Sequence, residues 1–316
     1  MTFRASLTLL AVAVVAACGE PDQAPSAGSD GAEAVEGGGN FTPRVYERNF
    51  VFVSPEGDSV FFVPWFMQTV EESDSVMREA RGWLARGEDW EGFFAERWWT
   101  PPTREPTRIL PRGGLQLLVG EGDAIDGILF EEGRRTLEVI MGDAVASWTG
   151  ARGGSFDVVR GSAFLADRRV DGLILEMTRA SATDGPRGGD WAFLLSGDSA
   201  HFVLAADAEH GGEVEPVYRA WGDDASEDEL QGPDVHIAWT RTEAFPPARR
   251  DVPVSWRVTS EDGELTGELE ATSAELQSGE GPGPLLPVRG LFVVVGTLTT
   301  EDGRFPVQGL FVHERR

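Results

Sequence analysis

An acidic side chain and an imidazole that could exchange protons stand two residues apart, at Asp234 and His236. Successive side chains of a strand point to opposite faces, so these two would share one polar face, opposite the apolar Val235 and Ile237. A carboxylate beside an imidazole suits the acid–base chemistry of a hydratase, isomerase or hydrolase, and His201 is a further candidate for the imidazole. Two interpretations stay open: a strand face turned to solvent, or the lining of a cavity inside a barrel.

Other catalytic and metal-binding patterns are incomplete in the sequence. Gly197-Asp198-Ser199 resembles the nucleophile block of the Gly-Asp-Ser hydrolases, but no asparagine follows it to complete an oxyanion hole, which favours a hairpin turn. All 27 basic residues are arginine, which excludes Schiff-base chemistry and a P-loop lysine. The four histidines form no zinc motif and the acidic stretch 222–234 lacks EF-hand spacing, so we expect no metal and no cofactor.

A group of aromatic residues is the second candidate site: Trp83, Trp90, Phe94 and Trp98. They stand seven, four and four positions apart, so a helix would carry them on one face. The spacing predicts such a helix over 67–97, ended by Pro101-Pro102. Its aromatic face could belong to the core, cover a ligand, or dip into a membrane.

Most of the remaining sequence alternates between apolar and polar side chains. Leu265 and Leu269 alternate with charged neighbours, and Val254, Trp256 and Val258 repeat the pattern ahead of a Glu-Asp-Gly turn. Many short strands separated by such turns are typical of an antiparallel meander that closes into barrels or sandwiches. The predicted fold is therefore mainly β, with two consecutive lipocalin-like barrels or sandwiches and one Trp-rich helical insertion.

The start of the chain carries Arg4, an apolar run and then Val15-Ala-Ala-Cys18-Gly19, which contains the one cysteine of the sequence. This arrangement resembles a bacterial lipoprotein signal peptide with its lipobox. The resemblance implies that residues 1–17 are removed and that Cys18 carries a lipid anchor in the cell envelope. Gly19, rather than aspartate, after the cysteine favours the outer membrane.

Composition limits the other partners. Fifty-three acidic residues against 27 arginines give a net charge of -26, which repels nucleic acid and anionic lipid headgroups. Residues 18–40 hold almost no bulky apolar side chain, so we expect them to form a disordered linker between the anchor and the fold.

The C-terminal part contains three short segments that suggest a fold family: Pro253-Val-Ser-Trp256, Gly290-Leu-Phe-Val-Val-Val-Gly296 and Val307-Gln-Gly-Leu-Phe-Val-His-Glu314. These segments resemble the lipocalin-like proteins related to hydroxyneurosporene synthase, the carotenoid hydratases. The resemblance implies two consecutive β units, at 41–185 and 186–316, and assigns no catalytic residue.

Three functions remain open from the sequence. The first is a lipid-anchored envelope protein, without enzymatic activity, that binds a small apolar or amphipathic molecule under the aromatic group. The second is a hydratase, isomerase or hydrolase that acts through Asp234 with His236 or His201. The third is a structural or assembly factor of the envelope.

Overall fold

The chain folds almost entirely into antiparallel strands, which confirms the predicted mainly-β class. The structure is a computed structural model that describes residues 44–120, 125–149, 154–165, 168–181, 189–197, 200–206, 218–222 and 233–315. The predicted signal peptide, Cys18 and the predicted linker lie outside the described residues. Among the helices described, none has the length and apolar character that crossing a membrane requires.

Nine strands form the first sheet: β1 (Val45–Val53), β2 (Ser59–Val70), β3 (Ser75–Arg86), β4 (Asp89–Thr100), β5 (Leu115–Val119), β6 (Ile125–Glu132), β7 (Arg135–Thr149), β8 (Ser155–Leu165) and β9 (Arg168–Ser181). Their order is β4-β3-β2-β1-β9-β8-β7-β6-β5. A 3₁₀ turn at Glu71–Ser73 joins β2 to β3. The sheet curls strongly. Phe93 on β4, at one edge, and Phe130 on β6, next to the other edge, have ring centroids only 4.9 Å apart.

Eight further strands close into a barrel: β10 (Gly189–Ser196), β11 (Ala200–Ala206), β12 (Tyr218–Trp221), β13 (Asp234–Phe245), β14 (Arg250–Ser260), β15 (Thr266–Ser278), β16 (Val288–Thr300) and β17 (Gly303–Arg315). Strand β10 pairs with β17, which closes the ring. A 3₁₀ turn at Pro246–Ala248 lies between β13 and β14.

Alternation along the strands produces three large apolar cores, and a fourth, small cluster contains Val252 and Val288. The first fills the inside of the curled sheet and includes Trp65 and Trp98. The second fills the barrel, where Val254, Trp256, Val258, Leu265 and Leu269 face inward as their alternation predicts. The third lies between the two sheets and joins their outer faces. Its aromatic contacts include Phe62 on β2 against Trp191 on β10, with ring centroids 5.8 Å apart.

The predicted helix over 67–97 is wrong, because that segment forms the end of β2, the 3₁₀ turn, β3 and most of β4. Gly87, with φ of +62°, makes the tight turn that joins β3 to β4, a conformation that glycine adopts readily. A bulge opposite Gly82 then places Phe93 and Phe94 side by side on the inner face. The second half of β3 is buried on both faces, so apolar residues at even and odd positions hid the period of two there.

We predict that Trp256→Ala lowers the free energy of unfolding by about 3–5 kcal/mol, because a fully buried ring is removed from the barrel core. Urea denaturation followed by circular dichroism measures the change. Trp99→Ala is the matched control, because Trp99 is 59% exposed, and we expect a change within about 0.5 kcal/mol. Equal losses in the two variants would contradict the described packing.

Candidate functional site

The outer faces of the strands change from apolar to polar along their length. On β1, Val53 and Val51 belong to the core between the sheets, whereas Asn49 and Glu47 follow on the same face. On β17, Val312 belongs to that core and Glu314 follows it. The sheets therefore pack tightly along one part of their contact and leave a cleft where the polar ends meet.

This cleft has a volume of about 420 Å³ and is lined by residues of both sheets. The first sheet contributes Glu47, Asn49, Pro64, Trp65, Phe66, Gln68, Met77, Glu79, Arg81 and Arg97. The barrel contributes Gln277, Ser278, Gly279, Pro287, Val288, Arg289, Glu314 and Arg315. The volume lies within the range of small-molecule sites in proteins.

Glu79 is the centre of an ion-pair network on the wall formed by the first sheet. Its two carboxylate oxygens accept hydrogen bonds from Arg81 Nε at 2.6 Å and from Arg97 Nε at 2.8 Å. Burial alone would raise the pKa of Glu79, but the hydrogen bond from Arg97 and the two positive charges outweigh it, so the pKa lies below its ordinary value. Glu79 is therefore ionised at neutral pH and holds both guanidinium groups in place.

Arg289 is the corresponding charge on the barrel wall. Its Nε donates to Glu314 Oε1 at 2.5 Å. Burial acts to lower the pKa of Arg289, but the charge of Glu314, followed by those of Glu47 and Glu79, raises it above the ordinary value. Glu47 in turn lies 3.7 Å from Arg179, and both side chains are buried.

A hydrogen bond spans the cleft from one sheet to the other, and the side chains that line it carry a net positive charge in an acidic chain. Arg81 Nη1 donates to Gln277 Oε1 at 2.9 Å, a hydrogen bond from the first sheet to the barrel. Four arginines and three glutamates line the cleft, an excess of one positive charge in a chain whose net charge is -26. Beside them lie apolar side chains, among them Phe66 and Met77. The surface suits a molecule with an apolar body and an anionic group.

The four aromatic residues singled out in the sequence do not share one face. Trp83 and Trp90 pack in the core between the sheets, where Trp90 Nε1 donates to Ser273 Oγ at 3.1 Å. Phe94 and Trp98 pack inside the curled sheet. None of these four side chains is among the residues that line the cleft.

The acid–base candidates from the sequence also lie apart. Asp234 and His236 do share a strand face, but it is the outer face of the barrel, where His236 is exposed and Asp234 pairs with Arg219 at 3.1 Å. His201 is buried on β11 beside a second cleft of about 530 Å³ between the sheets. In the described part of the chain, no group of three or more metal-ligating side chains is found.

The residues that build the cleft had only a weak signal in the sequence. Alternation could have shown that Arg81 and Glu79 continue the face of Trp83, and that Glu314 continues the face of Val312. It could not have shown that the two faces meet, because that depends on how the two sheets pack against each other.

Comparison with known proteins extends the description of the fold. No protein-family model matches the sequence, and no curated protein matches it. Three solved structures match with 86–87% of this chain covered: an AttH-like protein from Nitrosomonas europaea, kievitone hydratase from Nectria haematococca, and CghA. The TM-scores are 0.57, 0.53 and 0.52, the identities are 12, 11 and 13%, and 93, 89 and 88% of those chains are covered. The chain therefore shares the overall fold of these three structures.

Proposed function

We propose that this protein is a lipid-anchored envelope protein that binds a small amphipathic molecule in the cleft between the curled sheet and the barrel. The ligand has an apolar body, which lies along Phe66 and Met77, and an anionic group, which faces Arg97 and Arg315. The volume of the cleft and its excess of positive charge are the observations that support this proposal.

The packing of the two sheets favours this location over the inside of either unit. Large side chains fill both interiors, including Trp65 in the curled sheet and Trp256 in the barrel. The cleft, in contrast, is bordered by side chains that are only partly buried, such as Phe66, Met77 and Arg81. A ligand can reach these side chains without unfolding either core.

An acid–base enzyme is the second candidate function, and the kievitone hydratase of the same fold favours keeping it. The identity of 11% carries no residue role across to this chain. The pair Asp234 and His236 gives this candidate little support, since His236 is exposed on the outside of the barrel. A role in envelope assembly is the third candidate, and recovery of one reproducible protein partner would favour it.

The lipid anchor at Cys18 rests on the sequence. A thioether-linked lipid with several acyl chains would hold the protein at the membrane surface, because each buried methylene contributes about 0.8 kcal/mol. The ligand site would then operate next to a membrane, where amphipathic molecules concentrate.

We predict that 8-anilino-1-naphthalenesulfonate, an aromatic molecule with one sulfonate, binds the cleft and that Arg97→Gln weakens its binding about tenfold, or ~1.4 kcal/mol. The expected cause is the loss of a positive charge at the cleft mouth. Fluorescence titration gives the affinity. Arg304→Gln is the control, because Arg304 is exposed on a distant face of the barrel. Equal affinities in the two variants would argue against the cleft.

We also predict that Cys18→Ser abolishes incorporation of an alkyne-labelled fatty acid into the protein in growing bacteria. The serine hydroxyl does not replace the thiolate that forms the thioether. Detection of the label on the full-length chain provides the measurement. In a matched control, Ser26→Cys added to Cys18→Ser moves the thiol eight residues along the chain, and labelling should not return. Labelling of either variant would rule out the anchor at Cys18.

A further inference from the structure

Asn49 on β1 is a buried polar side chain at the floor of the cleft. It is only 4% exposed, and it is among the residues that line the cleft. Val51, two positions along the same strand face, belongs to the core between the sheets, so Asn49 stands where that core ends and the cleft begins. The side chain of Arg97, in contrast, is 60% exposed and lies at the mouth. The cleft therefore has a buried polar end and an exposed cationic end.

The neighbours of Asn49 offer its amide little hydrogen bonding. Its cross-strand partners are Pro64 on β2 and Met177 on β9, and both are buried. Cross-strand partners share a face, with about 5 Å between their Cβ atoms, so apolar side chains flank the amide on both sides. A pyrrolidine ring has no donor, and a thioether is a weak acceptor. Glu47, the other neighbour on this face of β1, lies against Arg179 instead.

The Asn49 amide has no hydrogen-bond partner in the described part of the chain. No described residue donates a hydrogen bond to its Oδ1 or accepts one from its Nδ2. A buried amide without partners is destabilising, and such groups are rare unless a ligand or an ordered water supplies the missing bonds. Because the residue borders the cleft, the group that satisfies the amide would enter there.

The chemistry of the amide selects the kind of group that fits. An asparagine side chain presents an acceptor oxygen beside an N–H donor, and a second carboxamide matches both with a pair of hydrogen bonds. A hydroxyl group fits less well, because its donor and its acceptor are the same atom. A carboxylate fits poorly, because it offers no donor and would lie near the charge of Glu47 on the same strand face.

We propose that Asn49 determines the specificity of the cleft by recognising a primary carboxamide at the end of the ligand opposite its anionic group. Asn49 Oδ1 accepts a hydrogen bond from the ligand N–H, and Asn49 Nδ2 donates one to the ligand carbonyl oxygen. Because it concerns the same ligand in the same cleft, this role of Asn49 rests on the proposed function. The ligand is then an elongated amphipathic acid with an amide at its buried end.

The test compares two probes that differ only at the contact with Asn49. The first is 4′-carbamoylbiphenyl-4-carboxylate and the second is 4′-isopropylbiphenyl-4-carboxylate. They share the anionic group and the apolar body, and an isopropyl group has about the shape of a carboxamide. Isothermal titration calorimetry with the full chain gives the two dissociation constants, and their ratio measures the preference for the amide.

Asn49→Leu replaces the amide by a hydrocarbon of similar shape. The ratio of the dissociation constants should shift about tenfold in favour of the isopropyl probe, because two hydrogen bonds to the carboxamide are lost. Without a ligand, the melting temperature of this variant should equal or exceed that of the wild type, because leucine suits the apolar neighbours Pro64 and Met177. Gln116→Leu is the matched control, because it removes an exposed amide on β5, and the ratio should stay at its wild-type value.

The outcomes separate this role of Asn49 from the proposed function. If both probes bind the wild type and Asn49→Leu leaves their ratio unchanged, the cleft binds amphipathic anions without selecting the amide, and the role of Asn49 is overturned alone. That result is also expected if water satisfies the amide. If neither probe binds, the role of Asn49 and the proposed function both fail. A lower melting temperature with an unchanged ratio would identify Asn49 as a structural residue.

A measurement on the wild-type protein covers the case in which Asn49→Leu does not fold. The chain contains two asparagines, Asn40 and Asn49, so selective nitrogen-15 labelling of asparagine gives two side-chain N–H₂ signals in an NMR spectrum. We expect one of them to shift on addition of the carboxamide probe and to shift much less with the isopropyl probe. Equal shifts with the two probes would overturn the proposal.

Discussion

The contact between the outer faces of the two β units is the constraint on which the rest of the molecule depends. Each unit already uses its inner face for its own core, so strands such as β1, β2 and β10 must be apolar on both faces where the units meet. Aliphatic and aromatic residues share this contact, and the aromatic part includes Trp221 of the barrel against Trp148 and Phe156 of the curled sheet, with centroid distances of 5.1 and 5.2 Å. Burial of these large rings contributes strongly to holding the units together.

That constraint also determines where chemistry can be placed. In the middle of the strands both faces are occupied by packing, and polar side chains would be buried without partners. Charged groups are therefore found towards the strand ends, and the end of β17 shows the principle. His313 points into the barrel, Glu314 points outward to Arg289, and Arg315 covers Trp239. Three consecutive residues thus lie in three different places: His313 inside the barrel, Glu314 in the cleft wall and Arg315 at the barrel end.

The sequence predicted the elements best where one strand face is polar. On β14 and β15, Trp256 and Leu269 alternate with charged residues, and the inward face follows directly. The segment 67–97 misled because the second half of β3 is buried on both faces, and because the bulge beside Gly82 puts two phenylalanines of β4 on one face. The positions of Trp83, Trp90, Phe94 and Trp98 then fitted the period of a helix as well as the period of a strand. Periodicity alone does not separate the two cases.

Contacts between polar residues of distant strands were harder to predict than the fold, and the buried pair of Asp190 and His313 in the barrel shows why. Alternation from Phe311 places His313 on the inside of a strand, and alternation from Ala192 does the same for Asp190, so each residue carried a local signal. Their meeting depends on barrel closure between β10 and β17, and the register of that pairing is a long-range property. Asp234 and His236, two residues apart, formed the more visible pattern, but a shared strand face does not tell inside from outside. In a closed sheet, acid–base candidates are better sought among polar residues that stand two or four positions from large apolar residues on the same strand. Those polar side chains point to the same face as the apolar ones, which is the inside of the barrel.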